Sequence, residues 1–451
     1  MTADWDFSEA ENKSTSALID YHHELVSADP QFPGNESTDL PATTARLAAA
    51  ELLIETEFYF PMLAHAPMEP LNCGFEPTEN GVRVHDGCQF PGAVKPTVAH
   101  VLGIDTENVE IRTVYAGGSF GRRASPVSDY TAEAALVFAA FGGKTPVKVV
   151  WTREDDIRGG FYRPMAVHKA KVGIGDGKIV AWDHRVAAKP IIKGTPMAAA
   201  IMPDPSGVDP LSVEGVADSH YAIPTFSVGL TDANSQIPVL WWRSVGHTHT
   251  AYAMETLIDM VANATGQDPY NLRSDLLSGE GKDQKRLSEV LKLAAGKAGW
   301  GKAPTGTFQG MAVHKSFSTY VAQVVDISLH GGAVKVDKVT CAVDCGVAVN
   351  PDVIRAQMEG GIGYGLGAVM RNEITLTDGE VDQFNFSDYE PTRISDMPVV
   401  EVHIVDSSEV LTGVGEPAVP VIGPALANAI FAATGTRITR LPMIKNGVEF
   451  A

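Results

Sequence analysis

The stretch AVDCGVAVNPDVIRAQMEGGIGYGLGAVM, residues 342–370, joins the end of a strand to a helix unusually rich in glycine. The pair Asn350-Pro351 is a typical helix start, because Asn caps the first turn and Pro is tolerated there. Inside the helix, each glycine costs about 1 kcal/mol relative to alanine. Five of them, at 360, 361, 363, 365 and 367, indicate that a bulky cofactor or a tightly packed segment lies against this helix.

Length and composition narrow the class of protein. A chain of 451 residues can form two or three packed domains. With 44% hydrophobic and 20% charged residues, a disordered or fibrous protein is excluded. A net charge of −20 argues against nucleic-acid binding, since a phosphate backbone requires a positive face. No apolar run reaches the roughly 18 residues of a transmembrane helix, and the polar start MTADWDFSEAENKS does not resemble a signal peptide.

The four cysteines are Cys73, Cys88, Cys341 and Cys345. They are too few for a disulfide framework, and their spacing matches neither a zinc site nor an iron–sulfur cluster. We therefore expect no cysteine-ligated redox centre in this chain.

Strand-like and helical patterns alternate irregularly, which predicts an α+β fold with mixed sheets and packed helices. Residues 1–55, including the Pro- and Gly-containing segment SADPQFPGNESTDLPATT (27–44), are predicted to be a linker or the tail of another domain. Two further domains are predicted at 56–280 and 300–451. Residues 248–266 are predicted to form an amphipathic helix that ends at Gly266.

The segment YAGGSFGRRASP, residues 115–126, combines glycines with two arginines. Its glycines allow close approach of a ligand, and consecutive backbone N–H groups can form an anion-binding nest. Arg122 and Arg123 offer bidentate donors to phosphate or carboxylate. An ordinary turn between strand and helix is the alternative. The segment is neither a Walker loop nor a dinucleotide fingerprint.

The segment VLWWRSVGHTHTAYAMETLID, residues 239–259, places Arg243 after two tryptophans, a good setting for an anionic ligand. His247 and His249 are predicted to be surface or packing histidines rather than metal ligands, because no third ligand is near in sequence. Glu255 and Asp259 share a helix face, and capping or ion pairing is the commoner role for such a pair.

Two other pieces could carry chemistry. His65 and Glu69 are four residues apart, but Pro67 and Pro70 argue against the helix that a zinc protease motif needs. Near the C-terminus, GVGEP (413–417) holds a lone acid, Glu416, between glycine and proline.

In this order, AGGSFGRR, WWRSVG, DCGVAVNPDVIRAQMEGG and GVGEP resemble the molybdenum-binding large subunit of the xanthine oxidase family. LAHAPMEPLNC, WTREDDI and NFSDYEPTR are similar to the branch of isoquinoline 1-oxidoreductase beta subunits and bacterial aldehyde dehydrogenases. The resemblance runs from about residue 55 to the end. It implies oxidative hydroxylation of an aldehyde or an N-heterocycle with oxygen from water, and aldehydes are slightly favoured.

The resemblance also implies roles for residues of this chain. Glu416 would be the general base beside the metal, with Gly415 leaving room for metal and substrate. Arg243 would lie near the substrate, and Gln357 near the dinucleotide tail of molybdopterin cytosine dinucleotide. The metal's surroundings would be lined by Gly118, Ser119, Phe120 and Gly121, and no side chain of this chain would bind the metal directly.

Departures from the family pattern imply partners. Ser119 and Arg122-Arg123 replace the Gly and Gly-Lys of the xanthine oxidase branch, which argues against purine oxidation. The family's Gln beside the oxo group aligns near Leu63, and its second cofactor stretch, of the Gly-Gln-Gly type, is not found. The resemblance thus implies another chain that completes the cofactor site and a separate subunit carrying [2Fe-2S] clusters. Relatives are often exported, so both the periplasm and the cytoplasm stay open as locations.

Two alternatives remain at this stage. A metal-independent hydrolase would use Glu416 with Arg243, but it needs a nucleophile or a metal triad, and none is evident. A non-catalytic assembly subunit would keep the fold without the activity.

Overall fold

The computed structural model describes residue 4, residues 6–202 and residues 204–451. Eleven α-helices are defined in this part of the chain. They are α1 Thr15–Ser27, α2 Leu40–Ala48, α3 Pro91–Leu102, α4 Asp129–Ala140, α5 Arg153–Arg158, α6 Ala198–Ile201, α7 His247–Thr265, α8 Pro269–Leu276, α9 Lys282–Ala298, α10 Pro351–Met370 and α11 Val419–Thr434.

The strands of the same part form three larger sheets and a short hairpin. The strands are β1 Phe32–Pro33, β2 Leu52–Phe60, β3 Asn72–Pro77, β4 Val82–Asp86, β5 Val109–Thr113, β6 Val147–Val150, β7 Ala166–Gly175, β8 Lys178–Ala188, β9 Phe226–Asp232, β10 Thr307–Ser316, β11 Thr319–His330, β12 Ala333–Asp344, β13 Leu376–Thr377, β14 Glu380–Val381 and β15 Val399–Ile404. The sheet orders are β1-β9-β8-β7-β2, β5-β4-β3-β6 and β10-β11-β12-β15. Each combines parallel and antiparallel pairs, so the predicted α+β class is confirmed.

The hairpin of β7 and β8 turns at Asp176 and Gly177, which have φ angles of 51° and 69°. Positive φ at both positions fits the primed turn that matches the twist of the two strands. The sequence pair Asp-Gly predicts this turn directly.

The segment expected to be a linker, within residues 1–55, contains helices that pack on the five-stranded sheet. Helix α2 begins where Asp39 accepts a hydrogen bond from the N–H of Ala42 (3.0 Å). On its buried side the hydroxyl of Thr43 lies 2.6 Å from that of Ser227 in β9. The expectation of a loop over 27–44 is therefore wrong from residue 40 onward, because an Asp cap followed by Pro41 starts a helix there.

The largest hydrophobic cluster includes residues from both predicted domains, such as Val228 and Ile422. The division at 56–280 and 300–451 stays a prediction. Helix α7 runs through this core with 15 of its 19 residues buried, so it has no polar face turned to solvent of the kind an amphipathic helix shows. It ends at Gly266, which has a φ of 67°, as predicted.

The glycines of α10 make room for neighbouring protein segments. A Cβ on Gly361 would lie 2.8 Å from the Cβ of Ala418, and one on Gly365 would lie 2.5 Å from Cγ2 of Ile422. On another side of the helix, Gly363 meets Met397. At Gly360, by contrast, a Cβ would have no described atom within 4 Å. Of the two explanations for the glycine-rich helix, tight protein packing accounts for these contacts.

Helix α11 lies equally close to β10. A Cβ on Gly310 would come within 2.1 Å of the backbone N of Ala429 and 2.3 Å of the carbonyl oxygen of Ala425. The side chain of Gln323, in the buried middle of β11, donates to the carbonyl of Ala418 at 2.9 Å. These contacts hold the start of α11, and with it the GVGEP turn, in one position.

Among the described residues, none of the helices has the length and hydropathy needed to cross a bilayer.

We expect Gly365→Ala to lower the free energy of unfolding by about 1–2 kcal/mol, because the clash with α11 outweighs the gain of about 1 kcal/mol in helix propensity. Gly360→Ala is the matched control in the same helix and should raise the free energy of unfolding by up to about 1 kcal/mol. Denaturant unfolding of the two variants measures the difference. Equal effects from both substitutions would contradict close packing of α10 on α11.

Candidate functional site

Arg243 brings four sequence segments together. Its N–H donates to the carbonyl of Phe120 (2.9 Å), and its Nε donates to the carbonyl of Gly415 (2.7 Å). Its Nη2 donates to Oε1 of Gln357 (3.1 Å). Arg243 thus connects the glycine loop through its backbone N–H, and α10 and the GVGEP turn through its guanidinium group.

The loop of Gly118, Ser119, Phe120 and Gly121 has an unusual backbone conformation. Gly118, Phe120 and Gly121 have φ angles of 108°, 58° and 113°. In the part of the chain that the structure describes, the backbone N–H groups of all four residues lack an acceptor within hydrogen-bonding distance. A run of free N–H groups in a left-handed loop is the geometry of an anion-binding nest. The loop is half-buried, which strengthens such binding.

Arg122 and Arg123, expected as donors to a ligand anion, are instead buried and bonded within the protein. Arg122 forms a bidentate pair with Asp129, with N–O distances of 3.0 and 2.5 Å. Nε of Arg123 donates to the carbonyl of Gly118 (3.2 Å), and its Nη2 reaches Glu69 (3.4 Å). The expectation of a ligand-binding arginine pair is wrong, because both guanidinium groups are buried and bonded to carboxylates or carbonyls of the protein. Both arginines therefore support the conformation of the loop from its buried side.

The turn after Arg243 adopts a strained backbone. Ser244 and Val245 have φ angles of 76° and 47°, which side-chain-bearing residues rarely adopt. In return, the N–H of Ser244 donates to Oε1 of Glu416 (3.1 Å), and the Ser244 hydroxyl donates to the main-chain carbonyl of Glu416 (2.7 Å). The strain is thus located where the turn holds the lone acid.

Glu416 stands half-buried just before α11. Burial raises the pKa of its carboxyl group above the ordinary value, while the Ser244 N–H and the Arg243 charge act in the opposite direction. On its N-terminal side, a Cβ at Gly413 or Gly415 would meet no described atom within 4 Å. These two glycines therefore leave space beside the turn that carries the acid, and a raised pKa makes its carboxylate a stronger base.

A stack of aromatic rings lies beside the loop. The ring of Phe120 stacks on that of Tyr364 with centroids 4.1 Å apart, and Trp242 stacks on the same tyrosine at 4.6 Å. A cavity of about 490 Å³ opens here against α10, with Arg243 and Met68 among its walls. It is large enough for a small aromatic or aliphatic molecule.

The histidines at 65, 247 and 249 pack in the interior. His65 Nε2 is hydrogen-bonded to the carbonyl of Trp241 (2.9 Å), and burial lowers the pKa of His65 to about 4. His249 lies 2.8 Å from His168, and His247 lies 2.9 Å from His314. Among the described residues, no group of three or more His, Cys, Asp or Glu side chains could hold a metal ion. His247 and His249 are therefore packing histidines, one of the two roles predicted for them.

The remaining acids have structural partners. Glu255 pairs with Arg273 at 2.8 Å in the core, and Asp259 pairs with Arg437 at 2.6 Å. The ion-pairing role favoured for these two acids is therefore confirmed. Glu69 accepts from the N–H of Gly117 and supports the glycine loop.

Sequence reasoning missed three residues of the site. Ser244 lies inside the WWRSVG motif, but its contact with Glu416 spans 172 positions of the chain. Tyr364 lies in α10, where only the glycines were identified as unusual. Gln89 accepts a hydrogen bond from the Ser119 hydroxyl and lies in a loop without a recognisable motif. The serine's place directly after Arg243 was a usable signal, whereas the other two had none.

Two family models, each described as a molybdopterin cofactor-binding domain, match residues 30–276 and 253–398. A membrane-bound aldehyde dehydrogenase [pyrroloquinoline-quinone] of Gluconacetobacter polyoxogenes is 33% identical over 427 residues, which cover 88% of this chain and 54% of that protein. The isoquinoline 1-oxidoreductase subunit beta of Brevundimonas diminuta is 29% identical and covers 90% of this chain and 52% of its own length. The chain thus spans about half the length of these relatives.

Solved structures share the fold at low sequence identity. Quinoline 2-oxidoreductase from Pseudomonas putida 86 matches with a TM-score of 0.78 at 13% identity, over 96% of this chain and 80% of that one. Aldehyde oxidoreductase from Desulfovibrio gigas matches with a TM-score of 0.71 at 15% identity, over 92% and 62%. With the two domain matches and the 33% identical relative, the chain belongs to the molybdopterin cofactor-binding large subunits of the xanthine oxidase family.

Proposed function

We propose that this chain is the catalytic part of a molybdenum hydroxylase that oxidises an aldehyde or an N-heterocycle with oxygen derived from water. The observation that carries the proposal is the pairing of a half-buried acid, Glu416, with a loop of free backbone N–H groups across Arg243. The 33% identity to an aldehyde dehydrogenase supports an aldehyde as the first substrate to test.

The residues present fit a molybdopterin cofactor. The free N–H groups of Gly118–Gly121 would face its anionic or oxo groups, and a Cβ at Gly121 would collide with the carbonyl of Trp241 at 2.2 Å, so glycine is needed for the loop to take this shape. Gln357, held by Arg243, would contact the dinucleotide tail, for which we propose the cytosine form. When bound, the cofactor supplies the two-electron oxidation of the substrate carbon.

Glu416 is proposed as the general base. Its carboxylate would take a proton from the water-derived nucleophile, and Gly415 would leave space for that approach. Ser244 fixes one carboxylate oxygen through its N–H and leaves the other, Oε2, available. Arg243 would orient the turn by holding the Gly415 carbonyl and would offer its charge to an oxygen of the substrate.

The electrons are proposed to leave through a separate iron–sulfur subunit. All four cysteines of this chain are free and buried, and their spacing in the sequence differs from that of iron–sulfur cluster ligands. They therefore do not offer a cluster site. We also propose that further polypeptide completes the cofactor cradle. Support comes from the open side of the GVGEP turn and from the exposed apolar residues beside it, Val347, Val349, Val410 and Leu411.

The hydrolase alternative finds little support in the geometry. The hydroxyl nearest to Glu416, that of Ser244, donates to the Glu416 main-chain carbonyl rather than to a base. A non-catalytic assembly subunit would have the same fold, so an activity measurement is needed to distinguish it from the enzyme.

We expect Glu416→Gln to reduce kcat by about 10²–10⁴-fold, because the amide still accepts from the Ser244 N–H but cannot take up a proton. The measurement is aldehyde-dependent dye reduction by the assembled enzyme, with molybdenum content as the control. Activity retained in this variant would exclude the general-base role, and activity absent from the parent enzyme would favour an assembly subunit.

The charge of Arg243 should determine the pH at which kcat/KM begins to fall on acidification, called here the acid limb of the pH profile. Because this charge lowers the pKa of Glu416, Arg243→Met should raise that pKa further. The base must be ionised to act, so the loss of kcat/KM on acidification should begin at higher pH in Arg243→Met than in the parent enzyme. Arg243→Lys keeps the charge and should keep the limb near its original position. An unmoved limb in Arg243→Met would show that another group titrates.

The molybdenum content of the purified protein tests whether further polypeptide is needed to complete the cofactor site. We expect the chain purified alone to retain little molybdenum, and the complex with its completing polypeptide to hold on the order of one molybdenum per chain, since a site with only part of its contacts binds weakly. Mass spectrometry of the metal and of the chains measures both. Tightly held molybdenum in the isolated chain would contradict the need for further polypeptide, and a quinone in place of molybdenum would contradict the cofactor.

A further inference from the structure

A second buried acid lies under the strained turn. Glu214 accepts from the N–H of Gly246 at 2.8 Å, while Glu416 accepts from the N–H of Ser244 two residues earlier. Its side chain is only 17% exposed, and its other oxygen, Oε2, lies 3.6 Å from Nε2 of His247. The two carboxyl groups therefore hold opposite ends of one turn, and the proposed mechanism makes no use of Glu214.

A row of imidazoles leads away from Glu214. Nδ1 of His247 is hydrogen-bonded to Nε2 of His314 at 2.9 Å, and Gly215 makes room for the pair, since a Cβ there would lie 2.8 Å from the first ring and 2.9 Å from the second. Beyond His314, a cavity of about 30 Å³ is lined by His220 and Asp218. This volume holds about one or two waters. The row thus extends toward solvent.

We propose that Glu214, His247, His314 and His220, called here the Glu214 row, carry to solvent the proton that Glu416 takes up. This inference rests on the proposed function, because it supplies the exit for the proton of that reaction. The chemistry is proton transfer alone, with no change of oxidation state.

Each transfer has a donor and an acceptor atom. A bridging water would pass the proton from Glu416 to Glu214 around the Ser244–Gly246 turn. Glu214 Oε2 would then give a proton to Nε2 of His247, whose Nδ1 gives one to Nε2 of His314. Nδ1 of His314 would release a proton through the water-sized cavity to His220, whose side chain is 24% exposed. Imidazole suits this role because it accepts on one nitrogen and donates from the other.

The charges around the row agree with this use. Burial, together with the charges of Asp218 and Glu416, raises the pKa of Glu214 to about 8, while the N–H groups of Gly246 and His247 act in the opposite direction. Glu214 is therefore mainly protonated at neutral pH and able to donate. Burial lowers the pKa of His247 to about 4 and that of His314 well below its usual range, so both rings rest neutral. Each ring would therefore donate from one nitrogen as it accepts on the other, without resting as an imidazolium.

His220, at the solvent end of the row, lies near both negative and positive side chains. His220 faces Asp283 at 3.9 Å, and Lys315 pairs with the same aspartate at 3.0 Å. Burial lowers the pKa of His220, with Lys315 acting in the same direction and Asp283 and Asp218 against it. A proton that reaches His220 is therefore released readily to water.

The simpler explanation is that Glu214 only caps helix α7. Capping needs an acceptor for the Gly246 N–H, which glutamine supplies as well as glutamate does. Glu214→Gln therefore separates the two explanations, because it keeps the cap and removes the proton.

The first test needs no turnover. Infrared spectra of the chain should show a protonated carboxyl band at neutral pH that disappears in Glu214→Gln and titrates near the pKa of about 8. In Glu416→Gln the same band should titrate at lower pH, because a neighbouring negative charge is removed. A Glu214 that is ionised at neutral pH, or whose titration ignores Glu416, would overturn the proposal.

The second test uses the assembled enzyme. Glu214→Gln should lower kcat on the order of tenfold with KM unchanged, and should increase the solvent isotope effect, with partial recovery in Glu214→Asp. Asp39→Asn, which removes a carboxylate charge outside the row and keeps an acceptor at the start of α2, is the matched control and should retain its kcat. Unchanged kcat and isotope effect in Glu214→Gln would overturn the row while leaving the role of Glu416, tested by its own variant, intact.

Discussion

The close approach of α11 to its neighbours is the constraint on which the site depends. Gly310 of β10 and the pair Gly361 and Gly365 of α10 let this helix lie against two elements at backbone distance. Such contact admits little sliding, because a displaced helix would meet side chains instead of hydrogens. The GVGEP turn leads directly into α11, so the position of Glu416 is set by packing that lies behind the site.

A second constraint is the guanidinium of Arg243. It satisfies a carbonyl from the GVGEP turn and an amide from α10 at once, while its own backbone N–H is bonded to the glycine loop. The planar fork of arginine suits such divided bonding, whereas lysine has a single charged centre. The strained backbone that follows is maintained because the acceptors on both sides, Glu416 and Glu214, are held by the core.

Burial then gives the acids their chemistry. Asp129 and Glu255 each form a short ion pair with an arginine. Among the described residues, Glu416 and Glu214 form no such pair with arginine or lysine, and desolvation therefore raises the pKa of these two acids. Arg122 and Arg123, on the glycine loop, are bonded within the protein, and Arg243 is the arginine that lies at the turn. A net charge of −20 on the chain has no part in this, since the effective charges lie within a few ångströms of the acid.

Local sequence determined the elements whose signals are local: the Asp176-Gly177 hairpin, the helix start at Asn350 and the end of α7 at Gly266. The ordered motifs also singled out Glu416, Arg243 and Gln357 as candidates. Tertiary structure alone decided that α2 packs instead of forming a linker, that Arg122 and Arg123 face inward, and that Glu214 lies under the turn. The reason is physical: a cap or a turn is stabilised by atoms a few residues away, whereas burial, pKa and the partner of an arginine depend on segments that only folding brings into contact.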